Sequence, residues 1–200
     1  MKILAFSDLH LSTLAAKNLL KAAEDADLIL GLGDYAHQRK GLAEFVAPFA
    51  NWGARAVFVP GNNETDTELR AAFAGSDVTI LHGETITIDD VTIAGIGGAI
   101  PPPPSIPWQS FDLTENEAHA MLSPIEHADI LISHSPPNGV ADQHSEFGAL
   151  GSYAVLDAAK CLSPKWLLCG HIHDAWGARG HIGTTQVWNL GPTPNWISLS

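Results

Sequence analysis

The chain carries five short polar clusters, and each begins where a run of apolar residues ends. The clusters lie at residues 8–10, 33–34, 61–64, 133–135 and 170–173. They supply two carboxylates, one amide oxygen and four imidazoles, which belong to Asp8, Asp34, Asn62, His10, His134, His171 and His173. These ligand types suit two divalent metal ions that share one carboxylate. Two ions held about 3.5–4 Å apart form a clamp for phosphoryl chemistry.

Short strands precede these clusters and explain why their side chains should meet. Apolar runs bounded by turn residues predict buried strands at residues 3–6, 28–30, 56–59, 130–132 and 166–168. Ligands of open α/β sheets collect at the carboxyl ends of strands. Asp8 and His10 are two residues apart, so in an extended chain both point the same way and can face one ion. We therefore expect the five strand ends to build one shared site.

Each candidate ligand also has a simpler interpretation when it is taken alone. Asp34 could cap a helix, and Asn62 could lie in a turn, because asparagine tolerates left-handed backbone. A single histidine is more often structural or solvated than a metal ligand. The pair of His171 and His173 after Gly170 is more specific for metal, and the shared position of all five clusters favours the metal site.

The remaining elements predict the fold class. Helical patterns lie at residues 14–26, 42–52, 68–74, 115–125 and 153–161, with Thr114 as a predicted N-cap. Further strands are predicted at residues 78–81, 85–88, 91–96, 185–190 and 196–199. The first third alternates strands with helices, which indicates a parallel sheet, whereas Asp89-Asp90 indicates a hairpin. The prediction is an α/β fold (α+β in some schemes), a four-layer α-β-β-α sandwich of two mixed sheets flanked by helices.

Composition limits the partners and the location of the protein. The 200 residues fit one domain, and the formal net charge is −12 without a run of Lys and Arg. We therefore expect no binding to long nucleic acids, whose phosphates an acidic surface repels. No apolar segment approaches the ~20 residues of a membrane span, and the first residues indicate a strand instead of a signal peptide. We expect a soluble cytoplasmic protein, and its oligomeric state stays open.

Cys161 and Cys169 are too few for a disulfide framework. Both lie in apolar stretches of the chain, so the sequence predicts a pair of buried, reduced thiols.

Residues outside the five clusters support further predictions. His82 and His144 could face the substrate. Trp108 and Trp176 could either line the mouth of the site or cover the edge of the core. Residues 101–108, which open with a proline run at 101–104, are a candidate lid over the site. The histidines predicted at the surface are His119, His127 and His181.

In order and spacing, the clusters resemble the signature of the calcineurin-like metallophosphoesterase family. They read Asp-x-His at residues 8–10, Gly-Asp at 33–34, Gly-Asn at 61–62, then His134, and Gly-His-x-His at 170–173. The resemblance extends from Asp8 to residues 189–191 and implies a single domain over residues 1–200. It also implies a β-sandwich with helices on both outer sides.

The resemblance implies a dinuclear metal-dependent phosphohydrolase and, within that class, a phosphodiesterase acting on a small phosphoester. The first ion would be held by Asp8, His10, Asp34 and His173. The second would be held by Asp34, Asn62, His134 and His171, with Asp34 as the bridge. A hydroxide bridging the two ions would attack phosphorus in line beside His134, without a covalent nucleophile. Manganese, iron, zinc, cobalt and nickel all suit these ligands.

One position departs from the family pattern. Asn63 stands where the family usually has a histidine that acts as general acid or holds the phosphate. An amide cannot donate a proton outright, but it can hydrogen-bond a phosphoryl oxygen, so Asn63 joins His134 as a predicted catalytic residue. General acid catalysis contributes ~10²–10⁴-fold. The sequence therefore predicts a preference for aryl or anhydride leaving groups, and a gain on alkyl phosphodiesters in Asn63→His.

Two other functions stay open at this point. Asn63 also fits a non-catalytic interaction module on the same fold, although the complete ligand set argues against one. A phosphomonoesterase or a nucleotide pyrophosphohydrolase would use the same ions. A monoester needs an extra cation for its second negative charge, and the sequence shows no obvious arginine for that role.

Overall fold

Short strands and helices alternate through residues 1–103 and 106–199, which the structure, a computed structural model, describes. The strands are β1 (Lys2–Phe6), β2 (Leu28–Gly31), β3 (Ala56–Phe58), β4 (Thr79–Ile80), β5 (Glu84–Ile88), β6 (Val91–Ile96), β7 (Ile130–Ser133), β8 (Gln143–His144), β9 (Gly148–Ala149), β10 (Trp166–Cys169), β11 (Arg179–Ile182), β12 (Thr185–Asn189) and β13 (Asn195–Ser198). The helices are α1 (Thr13–Ala22), α2 (Leu42–Val46), α3 (Asp66–Ala72), α4 (Glu115–Leu122) and α5 (Tyr153–Leu162). The predicted proline run at 101–104 and candidate lid at 101–108 lie partly outside the described residues.

Two large mixed sheets contain most of the strands. The first has the order β13-β1-β2-β3-β4, in which β1 to β4 are parallel and β13 is antiparallel to β1. The second has the order β11-β12-β10-β7-β6-β5, in which β12, β10, β7 and β6 are parallel and the edge strands β11 and β5 are antiparallel. In each sheet the carboxyl ends of the parallel strands therefore lie along one edge, where α/β folds place their ligands.

The side chains of β1 alternate between two cores, which shows how the layers are stacked. Ile3 and Ala5 lie between the two sheets, in a core that includes Ile130 of the second sheet. Leu4 and Phe6 lie on the opposite face, in a core shared with α1, α2 and α3. A third core joins the outer face of the second sheet to α4 and α5. The layers are helices, sheet, sheet and helices, so the predicted four-layer sandwich is confirmed.

Four of the helices, α1, α3, α4 and α5, follow a polar residue whose side chain accepts from a free N–H group of the first turn. Oγ1 of Thr114 accepts from the backbone N–H of Glu117 at 3.2 Å, and the Glu117 carboxylate accepts from the Thr114 N–H at 2.8 Å. This reciprocal pair is a capping box, and it confirms the predicted N-cap of α4. The N-caps of α1, α3 and α5 are Ser12, Thr65 and Ser152.

Some predicted elements differ in extent from the structure. The helix predicted at 42–52 ends as α2 at Val46 and continues as a 3-10 segment, Ala47–Arg55, that is interrupted where Gly53 has φ 59°. The helix predicted at 115–125 ends at Leu122, because Pro124 has no backbone N–H to continue the hydrogen bonds of the helix. The sequence predicts neither β11 nor the two-stranded pair of β8 and β9. None of the described helices is long and apolar enough to cross a membrane.

The two cysteines differ in exposure. Cys169 is buried on β10, and burial raises its pKa well above the ordinary value of a thiol. Cys161 is exposed on α5, so the prediction of two buried thiols is wrong for this residue. The reason is helical phase, because the buried face of α5 carries Ala154, Val155, Ala158 and Ala159.

The predicted hairpin around two aspartates is present between β5 and β6. Ile88 pairs with Val91, so Asp89 and Asp90 form a two-residue loop. Their φ angles are 47° and 63°. Two successive positive φ angles are typical of a type I′ turn, in which glycine is favoured because it has no Cβ to clash.

Asp90→Gly should therefore stabilise the protein. Left-handed backbone costs a residue with a Cβ roughly 1–2 kcal/mol, and aspartate somewhat less, so we expect the free energy of unfolding in urea to rise by about 0.5–1 kcal/mol. The matched control is Asp157→Gly, because Asp157 is exposed inside α5. Glycine inside a helix should lower stability by a few tenths of a kcal/mol or more. A loss of stability in Asp90→Gly would contradict the turn described here.

Candidate metal centre

The loops after β1, β2, β3, β7 and β10 bring all seven predicted ligands into one region. Among the described residues, two groups of three side chains have ligand atoms within 4.8 Å of one another. The first group is Asp8, His10 and His173, and the second is Asp34, His134 and His171. Asn62, the remaining predicted ligand, lies beside His134.

The first group has the spacing expected of ligands of one ion. Nε2 of His10 and Nε2 of His173 are 3.1 Å apart, and Nε2 of His173 is 3.7 Å from Oδ1 of Asp8. A nitrogen or oxygen ligand lies about 2.0–2.2 Å from a transition metal ion, so neighbouring ligands of one ion are about 3 Å or slightly more apart. The donor atoms of the first group therefore fit a single ion.

The second group is spaced in the same way. Nε2 of His134 lies 3.5 Å from Oδ1 of Asp34 and 3.3 Å from Oδ1 of Asn62. The ring of His171 lies against that of His134, with their centroids 4.9 Å apart. One carboxylate, one amide oxygen and two imidazoles thus offer a second ion a ligand set of oxygen and nitrogen.

Asp34 lies between the two groups. Its Oδ1 is 3.5 Å from Nε2 of His134 in the second group, and its Oδ2 is 3.6 Å from Nε2 of His10 in the first. A carboxylate that presents one oxygen to each group has the placement of a bridging ligand. The alternative interpretation of Asp34 as a helix cap is wrong, since the next helix, α2, has Gly41 as its N-cap.

The loop that carries Asp34 is packed tightly against the loop after β3. Gly33 and Asp34 have φ angles of 92° and 58°. A Cβ at Gly61 would overlap both the backbone nitrogen and Oδ1 of Asp34. Glycine at position 61 is therefore required for this close approach, independently of any role in ligation.

Both polar atoms of the Asn63 side chain form hydrogen bonds within the protein. Nδ2 donates to Oδ2 of Asp34 at 2.7 Å, and the backbone N–H of Asn63 donates to Oδ1 of the same carboxylate at 2.9 Å. Oδ1 of Asn63 accepts from the backbone N–H of Gln38 at 2.7 Å. Asn63 thus holds the Asp34 carboxylate in place, which the sequence does not indicate. Its contact with a phosphoryl oxygen stays a prediction.

Glu64 ties the same two loops together. Its buried carboxylate accepts hydrogen bonds from the backbone N–H groups of Gly61, Asp34 and Ala36 at 2.8, 2.8 and 2.9 Å. Burial, and after it the charge of Asp34, raises the pKa of Glu64 to about 7. The sequence motif places Glu64 beside the ligands, and the structure shows that it anchors the backbone of the loops that carry them.

Hydrogen bonds outside the two groups orient two of the ligands. Nδ1 of His134 is 2.7 Å from the carbonyl oxygen of Leu32, which can only accept, so Nδ1 is the donor and Nε2 faces Asp34 and Asn62. Nδ2 of Asn62 donates to Oγ of Ser110 at 3.0 Å, which turns the amide oxygen toward His134. Ser110 in turn donates to Asp112. This tautomer and this amide orientation are the ones that metal ligation requires.

The protonation states of two of the histidines also favour ligation. Burial lowers the pKa of His10, and burial together with the nearby His134 lowers the pKa of His171 to about 4. Both imidazoles are therefore neutral at pH 7, which is the form that binds metal. The hydrogen bond to Asp8 raises the pKa of His173. Burial alone would raise the pKa of Asp8, but the His173 hydrogen bond and the neighbouring imidazoles outweigh burial and lower it.

Trp176 contacts two members of the first group. Its indole Nε1 donates to Oδ2 of Asp8 at 3.2 Å, and its ring lies 4.4 Å from that of His173, centroid to centroid. The backbone N–H of His171 also donates to the Asp8 carboxylate at 3.2 Å. Trp176 is nevertheless 39% exposed. This placement favours the interpretation that it lines the mouth of the site.

Other histidines stand outside the two groups. Nδ1 of His82 accepts from the backbone N–H of Gly97 at 3.2 Å, and burial lowers the pKa of His82. His144 lies 3.8 Å from Asp174, the residue that follows His173. The histidines predicted at the surface, His119, His127 and His181, are exposed.

Two residues reach the site without a motif that indicates them. Ser110 hydrogen-bonds Asn62, as described above, and the exposed ring of His37 lies 6.2 Å from that of His10. Both come from loops, and their proximity depends on loop paths that the pattern of apolar residues does not predict.

Comparisons with known proteins agree with this geometry. The sequence model of the calcineurin-like phosphoesterase family matches residues 1–175. The chain is 29% identical over 176 residues to the 3′,5′-cyclic adenosine monophosphate phosphodiesterase CpdA of Escherichia coli strain K12, in a match that covers 80% of this chain and 61% of that protein. The chain thus spans less than two thirds of the length of this curated relative.

Solved structures share the fold at low sequence identity. The protein TT1561 of Thermus thermophilus is 18% identical with a TM-score of 0.69, over 95% of this chain and 88% of that one. The phosphopantetheinyl hydrolase PptH of Mycobacterium tuberculosis is 13% identical with a TM-score of 0.64, over 95% of this chain and 89% of that one.

The chain belongs to the calcineurin-like phosphoesterase family. The family expected from the five clusters is therefore confirmed.

Trp176→Phe should weaken the binding of one metal ion. Phenylalanine keeps a flat ring but lacks the N–H that Asp8 accepts, and such supporting hydrogen bonds typically contribute 10–100-fold to metal affinity. We expect about 10-fold weaker binding of one of two Mn²⁺ ions in isothermal titration calorimetry. The control is Trp196→Phe on β13, which should leave both affinities unchanged. Equal weakening of both ions by Trp176→Phe, or no weakening, would show that the indole does not support the first group.

Proposed function

We propose that the protein is a phosphodiesterase that works with two divalent metal ions, one in each ligand group. The observation that supports this most directly is the placement of Asp34, whose two carboxylate oxygens face His10 and His134. A carboxylate shared by two sets of ligands is what a pair of closely spaced ions requires. In this proposal residues 1–200 act as one catalytic domain.

In this proposal the metal ions and the residues around them have separate roles. When bound, the two ions would activate a water molecule and offset the negative charge that develops on the phosphoryl oxygens. Asn63 and Glu64 hold the loop of the shared carboxylate, Asp34. Ions that accept nitrogen and oxygen ligands are Mn²⁺, Fe²⁺, Zn²⁺, Co²⁺ and Ni²⁺, and manganese is our first choice for trial. The ligands are Asp8, His10 and His173 for one ion, Asn62, His134 and His171 for the other, and Asp34 for both.

A diester suits the charges around the site better than a monoester does. A monoester carries a second negative charge, which needs a further cation. The guanidinium of Arg39, on the loop after β2, is paired with Glu68 through two hydrogen bonds of 2.9 and 2.8 Å. It is therefore already neutralised, and a net charge of −12 disfavours a dianion. The relative named a 3′,5′-cyclic adenosine monophosphate phosphodiesterase is consistent with a small diester substrate.

Metal-dependent turnover of a diester is the expected activity. Protein stripped of metal should be inactive, and Mn²⁺, Zn²⁺, Co²⁺ or Ni²⁺ added singly should restore hydrolysis of bis-p-nitrophenyl phosphate, measured by the release of p-nitrophenol. We expect p-nitrophenyl phosphate, the matching monoester, to be hydrolysed at least 10-fold more slowly. Faster turnover of the monoester would replace the proposal by a phosphomonoesterase. An absence of bound metal would favour a non-catalytic interaction module.

The shared carboxylate should be distinguishable from a ligand of one ion. Asp34→Asn should weaken the binding of both ions together, because each group loses an ionised oxygen. His173→Ala should weaken mainly one ion, by about 100-fold or more, since even supporting residues around metal ligands contribute 10–100-fold. Calorimetric titration with Mn²⁺ measures both affinities, and Asp157→Asn on α5 is the matched control. If Asp34→Asn and His173→Ala weakened the two ions alike, Asp34 would not be the bridge.

A further inference from the structure

Two exposed aromatic rings stand beside the turn that carries His173. Trp176 is 39% exposed and Phe147 is 65% exposed, although large apolar side chains are normally buried. Single exposed apolar residues need no explanation, but a group of them at the edge of a site does. Trp176 contacts the first ligand group directly, and the hairpin that carries Phe147 is joined to Asp174, the residue after His173.

Trp176 is held in one orientation. Its N–H is fixed on Asp8, its ring is tilted by 32° over that of His173, and a Cβ at Gly191 would lie 3.1 Å from the indole. The indole thus rests on Gly191 and His173 while part of its ring stays in solvent. An aromatic ring immobilised in this way loses little conformational freedom when another flat ring stacks on it.

Phe147 lies in the loop of the small hairpin of β8 and β9, and this hairpin is anchored next to His173. The backbone N–H and the hydroxyl of Ser145 both donate to Oδ2 of Asp174, at 2.8 and 2.5 Å. His144 lies 3.8 Å from the same carboxylate, and the ring of Phe147 lies 4.9 Å from that of His144. Asp174 therefore connects the hairpin directly to the residue after a ligand of the first group.

We propose that Trp176 and Phe147 form an aromatic subsite that binds a flat ring esterified to the phosphate, such as a nucleobase-bearing group. The inference rests on the proposed function, because it names the class of diester that the metal centre hydrolyses. In this inference, the preference for a substrate with an aromatic ester group comes from two uncharged side chains, Trp176 and Phe147. Bases stack on aromatic side chains with little dependence on their identity, so the subsite selects a class of substrate, not one base.

The subsite can be tested by binding, without relying on turnover. Adenosine 5′-monophosphate and ribose 5-phosphate share the phosphate and the sugar and differ in the base. Stacking of a base on an aromatic residue corresponds to at least a 5-fold change in affinity. We expect Mn²⁺-loaded protein to bind adenosine 5′-monophosphate about 10-fold more tightly than ribose 5-phosphate in calorimetric titration. Equal affinities would overturn the subsite, whether or not the protein hydrolyses diesters.

Substitution of Phe147 tests whether its ring contributes to the preference. Phe147→Ala should reduce the ratio of the two affinities at least 5-fold, whereas Phe147→Tyr should retain it. Trp196→Ala is the matched control, because Trp196 is 38% exposed on β13 and its ring is covered by the ammonium group of Lys2. This control should leave the ratio unchanged. An unchanged ratio in Phe147→Ala, or an equal fall in Trp196→Ala, would overturn the assignment. Loss of diester hydrolysis with an intact ratio would instead count against the proposed function.

Discussion

The buried carboxylate of Asp34 is the constraint on which the rest of the site depends. A carboxylate held away from water is costly unless its charge and its lone pairs are satisfied. Here the backbone and side chain of Asn63 donate to its two oxygens, and His10 and His134 approach from opposite groups. Two metal ions would supply the remaining positive charge. The position of this one side chain therefore links loops from both sheets to a common centre.

Residues of the loops after β2 and β3 hold the Asp34 carboxylate in place. The loops after β2 and β3 touch backbone to backbone at Gly61, and a larger residue there would displace Asp34. Glu64 accepts hydrogen bonds from both loops and so ties them together. Asn63 occupies a position where the family usually has histidine, and in this chain its amide supports Asp34 by direct hydrogen bonds. The difference at position 63 therefore bears on the stability of the site as well as on proton transfer.

The sequence predicts the parts of this arrangement that follow from local pattern. Apolar runs that end in ligand-type residues predict the strands and the seven candidate ligands, and Asp89-Asp90 predicts its hairpin. Cys161 is exposed, although the sequence predicts it to be buried. Apolar residues lie on several sides of α5, so the sequence pattern does not show which side of this helix faces the core. The supporting contacts of Ser110, Trp176 and Gln38 are not predictable in this way. Each joins segments far apart in the chain through a loop, and apolar periodicity carries no information on the path of a loop.

The most direct test of this account is a crystal structure of the protein grown with Mn²⁺, with the ions located by their anomalous scattering. The account predicts two peaks about 3.5–4 Å apart, one contacted by His10 and His173 and the other by His134 and His171. One oxygen of Asp34 should contact each peak. A single peak, or two peaks that are not joined by Asp34, would contradict the account.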